Sequence, residues 1–588
     1  MTSATTDAVL DRLCAAVDGR TMMRHLEEFA RRVKLSGTPE ELESFHYLKS
    51  CLDGYGYRTN LILHDAYISL PGKARLESGG RDLPCITHSF SQSSPGGGTR
   101  GTLVYAGYGR PDDFTKLDLR GRIVLLEAIA NPAASLRASQ AGAIGQIHIS
   151  PHEHLHEMCI SSVWGSPTEE RVKVLPSTVV LSTRKADGDA LKQRVVAGET
   201  VEVVLHAEVD TRWRKTPILA AELGGPNGGD DEPFVMFSGH HDTWHLGVMD
   251  NGGANATMLE VARLLGRERA AWRRGLRLCF WSGHSHGRYS GSSWYADNHW
   301  TELARRCAVH VNVDSTGAKG NTVMSDALSS AELFGLAAEA VKAQGNQELD
   351  GHRMSRAGDQ SFWGVGVPSM FMGMGEHPIG TAINLTGAIM GAGKARKGSG
   401  FGWWWHTPDD TLDKMDQELL VRDTRVYVHA IWKLLTDRVL PLDYARQGDA
   451  LLKQLTKLAR ALEGRVDIAP IAQAAEALRA NAAALTARAQ RIQDDAEALR
   501  VNHALMSVSR AIVPMDYTSG DRFDHDPALA LSPYPVLDPL RRLADTPADS
   551  DAAKFATVAA RRALNRVAAA LDQANAALQG WGSAIAFE

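Results

Sequence analysis

At 588 residues the chain is longer than one hydrophobic core organises, and the length predicts about three to four domains. Its 44% hydrophobic and 23% charged residues are those of an ordinary globular protein, and a formal net charge of -5 with both signs interspersed gives no electrostatic support for a nucleic-acid or anionic-membrane partner. No apolar run has the length of a membrane-spanning helix, the start MTSATTDAVLDRL has no export-signal pattern, and the cysteines (Cys14, Cys51, Cys85, Cys159, Cys279 and Cys307) show no paired spacing, so the expected setting is a reducing cytoplasm.

Residues 1–72 carry two amphipathic helical patterns, Ala8 to Val33 and Pro39 to Tyr55. The second is opened by Gly37-Thr38-Pro39, a cap followed by proline in the first turn, and a strand-like run from Tyr57 to Leu63 follows it. From 73 to 212 the texture is β-rich, with predicted strands Thr102–Tyr108, Gly121–Glu127, Ala143–Ile149 and Thr178–Leu181 and a short helix Ala134–Ala141. This block reads as a separate inserted domain. His152, His154 and His156 within it alternate, and with nothing nearby to complete a metal site they are expected to face solvent.

From 213 to 440 strands and helices alternate. Ile218–Leu223, Phe234–Phe237, Leu276–Trp281 and Val309–Val313 are the predicted strands, and Ala254–Leu265 and Ser292–Cys307 the predicted helices. The pattern is that of an α/β fold, a mainly parallel central sheet sandwiched by helices, whose ligands gather at strand ends. From 441 to 588 the sequence turns to Ala, Leu, Arg and Gln, with Leu451, Leu452, Leu455, Leu458 and Leu462 as one stripe. Helical periodicity runs on through Ala472–Val508, a proline-rich excursion spans Pro514–Pro539, and a last helix covers Ala552–Gln579. Such a helical domain is suited to packing within a subunit or across a dimer.

The chemistry concentrates where Phe234–Phe237 runs out. His240, Asp242 and Asp250 follow within one loop, and Asp250-Asn251-Gly252-Gly253 leads into a helix, where N-terminal amides would hold the carboxylate. Neutral imidazole and carboxylate at a strand end are the donors Zn²⁺ takes, and Asp242 suits the task of orienting His240 from behind. Asp314 closes another strand, and His406 lies in WWWHTPDDTLDKMD.

The pattern His240-x-Asp242, Asp250-Asn251 before a helix, Asp314 after a strand and His406 ahead of Asp410-Thr411-x-Asp413-Lys414 resembles the zinc aminopeptidases and glutamate carboxypeptidases with a co-catalytic metal pair. The resemblance extends over nearly the whole chain: Gly107–Ile149 looks like their protease-associated domain and the C-terminal helices like their transferrin-receptor-type dimerisation domain. It implies that His240 and Asp314 bind one metal and His406 the other, with Asp250 bridging and Asp242 behind as an orienting carboxylate. It also implies two adjacent glutamates after the strand ending at Trp281, a general base and a ligand. Here those positions are His284 and Ser285, within Ser282-Gly283-His284-Ser285-His286-Gly287-Arg288-Tyr289.

The loss of a ligating carboxylate leaves one metal, or a second held weakly, so Zn²⁺ or another divalent transition metal is expected at one or two per chain. His284 can replace the base, since imidazole titrates near neutrality. Alternatively, His284 or His286 restores a ligand, or both only hydrogen-bond; Ser285 is the other possible additional ligand. Arg288 and Tyr289 are candidates for holding a substrate carboxylate or a developing oxyanion. His241, His245 and Trp405 are candidate pocket walls, Asp359-Gln360-Ser361-Phe362 reads as a helix start rather than a border of the site, its alternative, and Gly373–Gly402 with Lys394, Arg396 and Lys397 as a loop able to cover the site. The expected function is metal-dependent hydrolysis of an amide or peptide bond in a small substrate by a homodimer. The alternatives are a receptor-like scaffold without turnover and a cyclase-type acyl transfer.

Overall fold

The computed structural model describes residues 3–226, 228–229, 231–380 and 396–580. At its centre the strands Phe234–His240, Gly275–Trp281 and Cys307–Asn312 run parallel, with Phe234–His240 in the middle. Ser369–Met370 extends the parallel set beyond Cys307–Asn312, while the long strand Glu202–Leu223 joins the other side antiparallel. Alternate residues explain why these segments are largely apolar and buried on both faces. Val235, Phe237, Leu278, Phe280, Val309 and Val311 enter one core, with the helices Gly19–Phe29, Pro39–Gly54, Ala254–Gly266 and Gln417–Thr436. Phe234, Met236, Cys279, Trp281 and Cys307 enter a second, on the side of Ser290–Asn298 and Trp300–Arg306. A sheet covered on both faces has no polar side, and the strictly alternating pattern of a half-exposed strand is lost. Gly239 permits a close approach at the functional end of the sheet: a Cβ there would lie 2.7 Å from the Val313 carbonyl oxygen.

Two long strands carry the chain out of this layer and back. Arg58–Ser78 pairs antiparallel with Glu202–Leu223 along nearly its whole length. The expected strand Tyr57–Leu63 is only the beginning of the first, and the expected boundaries at 72 and 212 fall inside these continuous ladders. At their far end sits the inserted lobe, where Thr99–Tyr105, Ile123–Leu126, Gly145–Ile149 and Val179–Thr183 form a parallel run around their own core. The C-terminal region is helical, with Tyr444–Leu462, Ala469–Ala489, Asp495–Tyr517 and Asp551–Gly580 packed together.

Several expected boundaries shift for local reasons. The first amphipathic pattern is two helices, Ser3–Ala15 and Gly19–Phe29, because the Asp18 carboxylate accepts the amides of Arg20 and Thr21 and starts a new one. The helix expected over Ser292–Cys307 breaks at His299, and Ala472–Val508 spans two helices. The helix Asp495–Tyr517 continues through Pro514, which lies in its last turn rather than opening the excursion. The segment 381–395, with Lys394 and much of the expected covering loop, lies outside the described residues. Its flanks meet at an antiparallel bridge between Pro378 and Gly398, and Arg396 pairs with Glu376.

Candidate metal centre

The three parallel strands and the loops after them place the expected donors together. His240 is the last residue of its strand and is buried. Its Nδ1 lies 2.9 Å from the backbone carbonyl of Asp242, so Nδ1–H donates there and Nε2 is left facing the site. Nε2 stands 3.1 Å from Asp250 Oδ1 and 3.7 Å from Asp314 Oδ2. Asp250 Oδ2 is in turn 3.1 Å from His406 Nε2. Asp250 thus stands between His240 and His406, as the resemblance implies.

Asp250 is held from behind, though not by helix amides on its carboxylate. The Asp410 carboxylate accepts the backbone amides of Met249 at 2.9 Å and of Asp250 at 3.1 Å. Burial pushes Asp410 up to about 7 in spite of those amides. His406 occupies a left-handed backbone conformation, φ 59°, and is bracketed by Glu157 of the inserted region. Its Nδ1 lies 2.6 Å from the Glu157 carbonyl, and the Glu157 amide donates to the His406 carbonyl at 3.1 Å.

The residues present fit a divalent cation. His240 Nε2 and Asp250 Oδ1 are buried polar atoms with no hydrogen-bond partner, although they face each other. An orphaned buried acceptor or donor costs about 1–3 kcal/mol, which a cation between them would remove. Charge points the same way. Burial disfavours a charged His240, but the carboxylates of Asp242, Asp250 and Asp314 around it outweigh burial and raise its pKa well above the ordinary value. Burial likewise opposes ionisation of Asp250, yet His240 and His406 hold its carboxyl well below the usual range. Donor atoms of His240, His284 and Asp314 lie within 4.8 Å of one another.

The remaining expected residues divide. The Asp242 side chain does not take the His240 Nδ1 proton, since its own carbonyl does. Its Oδ2 instead accepts Ser36 Oγ at 2.8 Å and the Ser285 amide at 2.9 Å, and its Oδ1 the His284 amide at 3.3 Å, which fixes the turn carrying His284. Ser285 contributes that amide. His286 is buried, with Nδ1 3.0 Å from Ser36 Oγ and its ring against Trp244, and its Nε2 has no partner. Tyr289 is buried between Trp164 and His284, and the Arg288 guanidinium lies over its ring. His245 Nε2 is 3.8 Å from Glu157 Oε1, and Trp405 stacks on His406 with ring centroids 3.6 Å apart.

His241 is a core residue rather than a pocket wall. Its ring packs edgewise on Phe29 and Phe45, and Nε2 bonds Ser44 Oγ at 2.8 Å. His152 and His156 do not face solvent; both are buried, their Nε2 atoms 2.8 Å apart, and His156 Nδ1 bonds the Trp405 carbonyl. His154 stacks on Trp403. Asp359 opens no helix. Its Oδ2 is 2.9 Å from His284 Nδ1, and its Oδ1 accepts Ser292 Oγ at 2.9 Å. Glu157 and the cradling role of Asp410 escaped the sequence reading, and Asp359 was read as a helix start in preference to a border of the site, because each acts on a residue far away along the chain.

Residues 219–431 match the model of peptidase family M28. A probable glutamate carboxypeptidase of Arabidopsis thaliana is 22% identical to this chain, covering 96% of it and 90% of that protein. An aminopeptidase of Bacillus subtilis is 24% identical over 64% of this chain and 76% of its own length. Among solved structures, a zinc aminopeptidase from Bacillus subtilis superposes with a TM-score of 0.54 at 20% identity, covering 71% of this chain and 96% of that one. A peptidase M28 precursor from Shewanella amazonensis gives 0.56 at 16% identity, covering 74% and 97%.

Proposed function

From the match of residues 219–431 to peptidase family M28 and the likeness to aminopeptidases and a probable glutamate carboxypeptidase, we propose that the chain is a metallopeptidase that hydrolyses an amide or peptide bond in a small substrate at the His240–Asp250–His406 centre. The observation that carries the proposal is the buried, unpartnered pair of His240 Nε2 and Asp250 Oδ1, 3.1 Å apart. His240, Asp250 and Asp314 are the residues that would hold the ion, and His406, on the far side of Asp250, would face a second ion or the substrate. When bound, a divalent ion such as Zn²⁺ supplies a charge to polarise the carbonyl and a water with lowered pKa.

The chain's own residues shape the rest. His284 stands where the acidic base is expected, with its Nδ1 committed to Asp359 and one free lone pair at Nε2. That lone pair can accept a proton from water or be given to the cation, and it cannot do both at once. Arg288 forms no ion pair with an acidic group among the described residues, and lies over the Tyr289 ring that abuts His284. It is placed to hold a substrate carboxylate, with Tyr289 and Trp164 as the adjoining wall. His245, Glu157 and Trp405 border the other side.

The inserted lobe is proposed as a protease-associated-type domain, and the C-terminal helices as the contact of a homodimer, for which Phe555, 78% exposed, and Val558 offer apolar surface on the last helix. The cysteines are all unpaired, in keeping with a reducing compartment.

The test is metal analysis of the purified protein together with a panel of blocked and unblocked peptides in ¹⁸O-labelled water. Chelation should abolish turnover, Zn²⁺ should restore it, and one labelled oxygen should enter the acid product. Full activity after complete chelation would overturn the proposal, and product free of label would indicate acyl transfer.

A further inference from the structure

His284 and His240 are held in the same way. Each ring has its Nδ1 committed to an oxygen at 2.9 Å, the Asp359 carboxylate for His284 and the Asp242 carbonyl for His240. In both, the remaining Nε2 is the nitrogen free to face the site. The rings stack nearly parallel, 18° apart, with centroids 3.7 Å from one another, and donor atoms of His240, His284 and Asp314 lie within 4.8 Å of one another. A carboxylate on the far nitrogen of an imidazole fixes its tautomer and raises its basicity, which is the usual support of a metal-ligating histidine.

The support is itself built. Asp359 is buried and accepts at both oxygens: from His284 Nδ1–H at Oδ2 and from Ser292 Oγ at Oδ1. Ser292 Oγ contacts Ser361 Oγ at 2.9 Å, and Ser361 accepts from the Trp164 indole at 2.9 Å. The chain of bonds leaves the Asp359 carboxylate little freedom to turn away. On the opposite side of Asp250, the described donors are Asp250 Oδ2 and His406 Nε2, and Ser285 has a neutral hydroxyl at the sequence position where the resemblance implies a ligating carboxylate. The first half of the centre has gained a donor, and the second has lost one.

We infer that His284 is a metal ligand: its Nε2 joins His240, Asp250 and Asp314 around one divalent cation per chain, with Asp359 as the residue that positions it. This rests on the reading of the centre as a metal site. With two imidazoles beside two carboxylates the donor set is richer in nitrogen, so its preference moves toward ions that favour nitrogen, Zn²⁺ over Mg²⁺ or Ca²⁺.

The experiment measures Zn²⁺ and Co²⁺ affinity of the full-length apoprotein by chelator competition, and ion content by elemental analysis. Parallel melting curves in chelator check that each variant folds. Wild type should hold one ion. His284→Gln should weaken binding by roughly 100-fold or more and alter the visible spectrum of the Co²⁺ form, and Asp359→Asn by roughly 10- to 100-fold, with the chelated melting temperature unchanged. Should His284→Gln fail to fold, the isosteric Asp359→Asn carries the test by itself. Wild-type affinity and spectrum in the His284 and Asp359 variants, with Asp314→Asn losing the ion, would overturn the inference and leave the metal centre standing. A second tightly held ion in wild type would also overturn it. Unchanged affinity in Asp314→Asn and His240→Ala as well would overturn the metal centre itself.

Discussion

The two sides of Asp250 are built differently. On one side His240 ends a central strand, Asp314 follows its parallel neighbour and His284 follows the other, so the donors ride on backbone that the sheet and two packed faces hold in place. On the other, His406 sits on a loop in a left-handed conformation, and what fixes it is reciprocal hydrogen bonding to Glu157 and the stacking of Trp405. Donors on rigid elements keep their geometry when the substrate comes and goes. A donor on a loop tied to an inserted lobe moves when that lobe moves. The strand-borne side is therefore suited to holding the ion, and the loop-borne side to responding to what lies in the cleft.

The strongest way to break this contrast is at the residue both sides share. Asp250→Asn removes the charge facing His240 and His406 together, and should lower activity by at least about 10³-fold along with loss of the ion. Retention of both by the purified variant would show that Asp250 does not join the two sides. The next test separates them. His406→Ala should lower activity by roughly 10- to 100-fold while the ion content stays that of wild type, whereas His240→Ala should lose the ion. Equal loss of ion in the two variants would erase the distinction.

Much of the strand-borne side could be read from the chain because its signals are local. An apolar run ending in His240, with Asp242 two residues on and Asp250 at a helix entrance, announces itself within one loop. His241, read as a pocket wall, lies in the core against Phe29 and Phe45, a placement set by helices far from it along the chain. The supports were not legible either. Asp359 meets His284 across 75 positions, and Glu157 meets His406 across 249, both set by topology alone. The short spacing of His152, His154 and His156 was visible, yet burial against the tryptophan loop is a tertiary outcome. The inserted lobe's composition was legible while its edges were not, because the two strands leading into it keep their ladder far beyond the change in texture.

Acid should act on the loop-borne side through the lobe that supports it. Burial holds His88 down at about 3 and His148 at about 4, against an ordinary value of 6.5. His88 Nδ1 accepts the amide of Met158, next to Glu157. Between pH 6.5 and 4 the unfolded chain takes up protons that these folded rings refuse. The stability they contribute is thus fully present above about 6.5 and is lost as pH falls, by about 2 kcal/mol each at pH 5. Urea midpoints at pH 7 and 5 should show the loss, and His148→Gln should flatten part of it. Identical midpoints at the two pH values would rule the mechanism out.

The smallest expected effect lies one step further from the ion. His152 contacts His156 through their Nε2 atoms, and His156 bonds the carbonyl of Trp405, the residue before His406. His152→Leu removes two hydrogen bonds, the one its Nδ1 accepts from the His154 amide and the one to His156 Nε2, and a buried group left without a partner costs about 1–3 kcal/mol. Because no donor to the ion is touched, ion content and affinity should match wild type. The loosened His406 loop should appear as a severalfold rise in KM at nearly constant kcat. A change in ion affinity instead would mean that the lobe reaches the strand-borne side as well, and that the two halves of the centre are not mechanically separate.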